Sequence, residues 1–359
     1  MKKIATIIGA RPQFIKAAPL STAIKNAAGI EEILIHTGQH FDPNMSDIFF
    51  NEMGIPAPNY KLNIHSLSHG AMTGRMLEAI EEILLREQPH MVLVFGDTNS
   101  TLAGALAAKK LHIPVAHVEA GLRSFNMRMP EEVNRILTDR ISDLLFCPTQ
   151  SAVENLQQEG FKAPQNKVVL CGDIMQDSMN FFGQFAPKRS EIKELKKMDS
   201  YVLCTLHRAE NTNHIERLKS IIEGLNQIHQ NIPVLLPLHP RTAQILKDQQ
   251  IPYQFKIIEP VGYLTMISLL KHSSLVLTDS GGLQKEAYMN QKYCITLRDE
   301  TEWVELTQAG VNFIAGANSQ TMVTLAQKYL SLPFKGPKNL YGDGKTAQHI
   351  VTEMDRLMN

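Results

Sequence analysis

Short apolar runs rich in β-branched residues alternate with helix-length amphipathic segments along almost the whole of this chain, and that alternation limits its fold more than any other feature. Residues 4–8, 33–36, 91–95, 115–118, 144–147 and 167–171 read as strands in the first half, and 201–206, 234–238, 255–258, 275–278, 293–297 and 312–315 in the second. Runs this continuously apolar are buried on both faces, as in a parallel sheet covered by helices. Helical patterns lie between them, among them 72–86, 101–110, 131–141, 215–228 and 284–289. Strand, helix, strand, repeated about six times in each half, predicts an α/β protein. One open sheet rarely carries about twelve strands, so two doubly wound sheets of about six are expected. The joint is expected within 172–200, where strand signals stop and a charged, helix-like run at 188–197 intervenes. The division expected is 1–172, 173–345 and a last helix in 346–359 that packs back. Two such domains facing each other would place the carboxyl ends of both sheets around one cleft, where ligands of this architecture bind.

Composition narrows the partners. Lys and Arg number 36 and Asp and Glu 36, so the formal net charge is zero. A strongly basic nucleic-acid binder and an acidic solvating tail are both excluded, and any anionic ligand needs a local site. Cys147, Cys171, Cys204 and Cys294 sit in separate apolar runs without CxxC spacing, which predicts buried free thiols in a reducing compartment. Lys2-Lys3 followed by seven apolar residues is too short for a signal peptide before Arg11-Pro12 interrupts it. No stretch approaches the roughly 20 apolar residues of a membrane span. A soluble cytoplasmic protein is expected, with no membrane and no nucleic acid among its partners.

Chemistry is expected where the strands end, and polar residues concentrate there. After the first strand come Gly9-Ala10-Arg11-Pro12-Gln13-Phe14-Ile15-Lys16; Pro12 opens a helix, and Arg11 and Lys16 flank its positive end, which suits a phosphate or carboxylate. Asp97 and Glu119 each follow an apolar strand directly. Asp97 has the alternative role of a helix N-cap, whereas Glu119 caps poorly. Glu131 and Glu132 lie in a first turn opened by Pro130, where the helix dipole alone favours acids. Three carboxylates, Asp97, Glu119 and Glu131, could supply the proton donor and acceptor of an acid/base reaction. In the second half, His207-Arg208 and His239-Pro240-Arg241 end two strands. Thr278-Asp279-Ser280-Gly281-Gly282 runs from a strand into a helix, offering backbone N–H groups and a hydroxyl to a diphosphate. Glu286 follows one turn later. The absence of GxGxxG and GxSxG weakens a dinucleotide oxidoreductase and an α/β-hydrolase. Gly342-Asp343-Gly344-Lys345-Thr346 falls short of a phosphate loop, because Asn339 stands where its first glycine belongs. His65 and His69 have i, i+4 spacing but lie in a polar, loop-like stretch without HExxH, which speaks against a metal site.

The motifs GARPQFIK (9–16), TGQH (37–40), GDTNST (96–101), HVEAGLR (117–123), PEEVNR (130–135), TDSGGLQKE (278–286) and YGDG (341–344) occur in the order seen in the non-hydrolysing UDP-N-acetylglucosamine 2-epimerases, and the sequence resembles that family over essentially its whole length. The resemblance implies two facing Rossmann-like, GT-B-like domains, a homodimer, and C2 epimerisation of a UDP-linked acetamido sugar without NAD or metal, so no cofactor. Where many members read TRPE this chain reads Ala10-Arg11-Pro12-Gln13, and their HRRE is His207-Arg208-Ala209-Glu210. There, and in Ser124–Arg128, it is more similar to the branch acting on UDP-2,3-diacetamido-2,3-dideoxy-glucuronate for surface polysaccharides. Arg128 is a candidate partner for a uronate carboxylate.

Carried over by resemblance, Asp97, Glu119 and Glu131 are the acid/base candidates, with Lys16 and His207 in the catalytic set. Arg11, Lys16, Arg135 and His207 would meet the sugar and leaving diphosphate. Ser280, Gly281 and Gly282 would hold phosphate, and Glu286 the ribose. Gln39, His40, Arg75, Arg208 and His239 would form an activator site for a second UDP-sugar. The competing readings are a GT-B glycosyltransferase, which needs an acceptor, a hydrolysing 2-epimerase, which releases UDP, and a non-catalytic UDP-sugar sensor.

Overall fold

The computed structural model describes residues 1–39, 57–161 and 166–359. They form two compact units, Met1–Phe181 with Asn339–Asn359, and Phe182–Lys338.

In the first unit β1 (Lys2–Ile8), α1 (Arg11–Asn26), β2 (Ile30–His36), β3 (Tyr60–Lys61), α2 (His69–Glu87), β4 (Met91–Phe95), α3 (Asn99–Lys110), β5 (Val115–Val118), α4 (Pro130–Ile141), β6 (Leu144–Cys147), α5 (Gln150–Gln158), β7 (Lys167–Leu170) and α6 (Ile174–Gly183) follow one another. Among the described residues the sheet order is β3-β2-β1-β4-β5-β6-β7, all parallel. The order reverses between β1 and β4, so the loops after these two strands flank the crevice of a doubly wound sheet. β4 and β5 are buried along their whole length, as their unbroken apolar runs require.

The second unit contains β8 (Val202–Thr205), α7 (Ala209–Thr212), α8 (Ile215–His229), β9 (Val234–Pro237), α9 (Pro240–Asp248), β10 (Lys256–Ile258), α10 (Tyr263–His272), β11 (Leu275–Thr278), α11 (Gly281–Met289), β12 (Cys294–Thr296), α12 (Val304–Gln308), β13 (Asn312–Ile314) and α13 (Ser319–Leu330). Its order, β10-β9-β8-β11-β12-β13, reverses between β8 and β11. The fold is therefore the α/β class with two doubly wound parallel sheets that the sequence predicts.

Four details differ from the sequence reading. The division falls within α6, past the 172/173 boundary, and 339–359 returns to the first unit. The cause is local: the Asp173 N–H donates to Tyr341 O (2.9 Å), and the Asp177 carboxylate accepts from the N–H groups of Thr346 and Ala347 (3.1 and 2.9 Å). These two N–H groups open the last helix, α14 (Thr346–Leu357), whose Asp355 also pairs with Lys2 (2.6 Å). β3 was not expected, because two residues carry no periodicity. The charged run at 188–197 forms two 3₁₀ turns, Arg189–Glu191 and Lys193–Lys197, with Ile192 and Leu195 buried as anchors. His69 starts α2 instead of lying in a loop.

All four cysteines are free and buried, and burial pushes each thiol up from its ordinary value. No helix among the described residues is long and apolar enough to cross a membrane.

Candidate active site

In the first unit the site grows from the loops after β1, β4 and β5. Gly9 ends β1 where a Cβ would overlap Thr37 Oγ1 and Ser100 Oγ, so only glycine lets the three segments close up. Lys16, one turn into α1, pairs its Nζ with Glu119 Oε2 across the sheet, both side chains being largely shielded from solvent. Glu119 holds this position with φ of +70°, a left-handed backbone that costs a non-glycine residue about 1–2 kcal/mol. Such strain persists only where surrounding contacts fix it, commonly at functional sites. A Cβ on Gly96 would lie 3.3 Å from Glu119 Oε2, so this carboxylate packs against the turn that presents Asp97. The register sets the pair, since Phe95 of β4 lies opposite Val118 of β5.

Asp97 does not cap the next helix. Thr98 does, its Oγ1 accepting from the Thr101 N–H at 3.2 Å, which leaves the Asp97 carboxylate to pair with Arg135 of α4. Arg135 also donates to Glu132 Oε2 (2.6 Å). Glu132, which reads in sequence as a helix-dipole residue, is fully buried and accepts from the N–H groups of Ser124 and Phe125 (3.0 and 2.8 Å). Burial opposes its charge, but those donors and Arg135 outweigh burial and hold the carboxyl below its ordinary value. Asn134 steadies the same turn by donating to Asp97 O (2.9 Å).

Beneath lies a second layer. His117 Nε2 donates to Gly96 O and Nδ1 meets Asp139 Oδ1, each at 2.7 Å. Asp139 Oδ2 accepts from Arg123 (2.7 Å) and from the Gly121 N–H (3.1 Å), and Arg123 grips Glu159 at 2.6 and 2.9 Å. Burial works against the Arg123 charge, yet Glu159 and Asp139 together push the guanidinium above its ordinary value.

In the second unit a group of polar residues of its own gathers after β8 and β11. Asp279, fully buried, accepts from the backbone N–H of His207 (3.0 Å) and of Arg208 (2.9 Å) and lies 3.2 Å from His207 Nδ1. It fixes the loop and one ring nitrogen, while about half of the His207 side chain stays open to solvent. Ser280 caps α11, its Oγ accepting from the Leu283 N–H at 3.5 Å. A Cβ on Gly281 would overlap the Glu302 carboxylate, whereas Gly282 faces open space. The Trp303 indole N–H closes the turn onto Gly281 O (2.9 Å). The N-terminal N–H groups of α11 and the Ser280 hydroxyl are the groups that bind anions at helix starts. Glu286 is buried further along the same helix.

The structure thus joins Lys16 to Glu119 and Arg135 to Asp97, and seats His207 against Asp279 beside Ser280. Glu131 is exposed in the first turn of α4. Arg11 is half-buried at the start of α1. Gln39 accepts from Ser100 N and Oγ (3.1 and 2.8 Å), Arg75 is exposed on α2, and His40 lies outside the described residues. Arg208 is exposed, and His239 caps α9 by accepting from the Arg241 N–H (3.2 Å). Arg128 is exposed. Among the described residues no group of three or more His, Cys, Asp or Glu could hold a metal ion. Sequence reasoning missed the roles of Asp139, Glu159, Asp279 and Gln13, each of which has partners far away in the chain, and of Glu132, whose partners at 124, 125 and 135 are near but whose burial leaves no local signal.

Two doubly wound parallel units, each with charged and hydroxyl groups gathered at its switch point, define an α/β enzyme of the GT-B-like class. A family model described as UDP-N-acetylglucosamine 2-epimerase matches residues 22–355. The UDP-2,3-diacetamido-2,3-dideoxy-D-glucuronate 2-epimerase of Pseudomonas aeruginosa is 56% identical over 356 residues, covering 99% of this chain and 100% of that protein. The UDP-N-acetylglucosamine 2-epimerase of Methanocaldococcus jannaschii is 44% identical over 361 residues, covering 97% and 98%. The crystal structure of the Methanocaldococcus jannaschii enzyme with UDP-GlcNAc and UDP matches this fold with a TM-score of 0.83, at 42% identity and 99% cover of both chains. The chain belongs to the UDP-N-acetylglucosamine 2-epimerase family, and it is an isomerase.

Proposed function

We propose that the protein inverts C2 of UDP-2,3-diacetamido-2,3-dideoxy-D-glucuronate, giving the manno epimer. The full-length 56% identity to the Pseudomonas aeruginosa enzyme favours this sugar. UDP-N-acetylglucosamine is the second reading, favoured by the Methanocaldococcus jannaschii relative.

C2 of either sugar is not adjacent to a carbonyl, so its hydrogen is barely acidic. Breaking the C1–O bond to UDP while a base takes the C2 proton forms a C1=C2 bond, giving a 2-acetamidoglycal and UDP. Re-addition of UDP at C1, with a proton delivered to the other face of C2, completes inversion. The chemistry needs a base, an acid and a grip on the diphosphate. The observation that carries the reading is the placement of Glu119 and Asp97 at the ends of adjacent strands, each tied to a cation. In this reading Asp97, Glu119 and Glu131 exchange protons, and Lys16, Arg11, Arg135 and His207 serve the sugar and leaving diphosphate. Ser280, Gly281 and Gly282 hold phosphate, and Glu286 the ribose. The enzyme works as a cytoplasmic homodimer in surface-polysaccharide synthesis, and a second UDP-sugar at Gln39, His40, Arg75, Arg208 and His239 activates it.

Proton NMR of each UDP-sugar with the protein in heavy water, without acceptor, tests this. The manno epimer should appear with deuterium at C2 and without accumulation of UDP. Epimer lacking deuterium would favour an internal hydride shuttle. Build-up of UDP and free sugar would mark a hydrolysing enzyme, and a requirement for acceptor a glycosyltransferase.

A further inference from the structure

Gln13 is buried in the first turn of α1 and ties together two of the loops that carry the site. Its Oε1 accepts from the N–H groups of Gly9 (2.8 Å) and Ala10 (3.0 Å), just before Arg11. Its Nε2 donates to Phe95 O (2.8 Å) and to Thr98 Oγ1 and Thr101 Oγ1 (both 3.0 Å), on either side of Asp97. A backbone N–H can only donate and a carbonyl can only accept, so these partners fix which end of the amide is oxygen. Thr101 already gives its hydroxyl hydrogen to Phe95 O (2.6 Å), which leaves Thr101 Oγ1 an acceptor as well. The pocket therefore demands a group that accepts on one side and donates on the other.

We propose that Gln13 is a positioning residue for the acid/base reaction, a neutral clamp that holds the Asp97 turn in register with the Arg11–Lys16 turn. The proposal rests on the epimerase reading above. The charged groups of the elements around it are Arg11 and Lys16 on α1, Glu119 paired with Lys16, and Asp97 paired with Arg135. The amide hydrogen-bonds to backbone groups and threonine hydroxyls, so the clamp itself carries no titrating group.

Many family members carry a glutamate here, after a threonine that Ala10 replaces in this chain; in the pocket of this chain a glutamate would fit only with a proton on the oxygen that faces Phe95 O. The folded state would hold that proton above the ordinary carboxylate range, and the unfolded chain would not. The clamp of the variant is thus intact at low pH and lost as pH rises through the raised value. For Gln13→Glu, kcat should fall by about tenfold per pH unit on a new alkaline limb, and recover toward wild type at the acid end. Its melting temperature should fall relative to wild type across the same interval. Gln13→Met removes donor and acceptor at similar volume. It should lower kcat at least about tenfold at every pH, with no new limb and with UDP affinity within about twofold of wild type.

A Gln13→Glu profile parallel to wild type, or a Gln13→Met variant with wild-type kcat, would overturn the proposal. If Gln13→Glu does not fold, Gln13→Met decides alone. A wild-type enzyme that epimerises neither sugar would refute the functional reading instead, and the pH dependence of Gln13→Glu unfolding would still decide the role of Gln13.

Discussion

Glu119→Gln should lower turnover by about three orders of magnitude while leaving UDP affinity within about twofold. A positioned acid or base commonly contributes about 10²–10⁴ in rate, and the amide keeps the shape of the side chain while losing its capacity to take or give the proton. Its oxygen still accepts from Lys16, so the pair that orients the side chain survives and the loss is chemical. The affinity expectation follows from where the nucleotide grip is proposed, at Ser280–Gly282 in the other unit. Steady-state rates by NMR and UDP binding by calorimetry read the two quantities separately. Near-normal kcat would remove Glu119 from the mechanism. A collapse of UDP affinity alongside kcat would instead make it a binding group. Glu119→Asp is the sharper control, because it keeps the charge and shortens the reach beside a strained φ of +70°. It should also lose most activity, as placement within about half an ångström is what such sites require.

The strands of both units were legible because a doubly covered parallel sheet forces unbroken apolar runs, and Val92, Leu93 and Val94 can have no other purpose than burial. The positions of Asp97, Glu119, His207 and Ser280 were legible for the same reason: each begins where such a run stops, and strand ends are where this architecture binds ligands. What those residues rest on was hidden. Asp139 on α4 and Glu159 at the C-cap of α5 lie 16 and 36 residues from the Arg123 they hold, and nothing local distinguishes them from solvated acids. Glu132 shows the limit most clearly. Its place in a first turn is fully accounted for by the helix dipole, yet it is a buried anchor because the 124–125 backbone folds over it. The two-residue strand Tyr60–Lys61 had no period to read, and it exists only because β2 offers it an edge at Ile35 and His36.

Asp139→Ala should destabilise the protein by about 3–5 kcal/mol, the usual cost of removing one partner from a buried ionic network. The carboxylate is inaccessible and meets three partners at once: His117 Nδ1, Arg123 and the Gly121 N–H. Alanine leaves His117 Nδ1 and Gly121 N–H without these contacts in a dry interior, and Arg123 with Glu159 as its remaining carboxylate from the pair. Unpartnered groups of this kind cost about 1–3 kcal/mol each, so the two together give about 2–6 kcal/mol, a range that brackets the first by a separate route. Set against a total stability of about 5–15 kcal/mol, the loss is a large fraction. Urea unfolding followed by circular dichroism would read it, and a shift below about 1 kcal/mol would show that the network contributes little. Asp139→Asn separates charge from contact. It keeps one acceptor oxygen but turns an N–H₂ group toward donors, so it should recover only part of the loss. Activity should fall in both variants at temperatures where they remain folded, because His117 connects Asp139 to the Gly96 carbonyl, one residue before Asp97. If both variants turn over at the wild-type rate once folded, the buried layer sets the stability of the first unit and has no part in aiming its carboxylates.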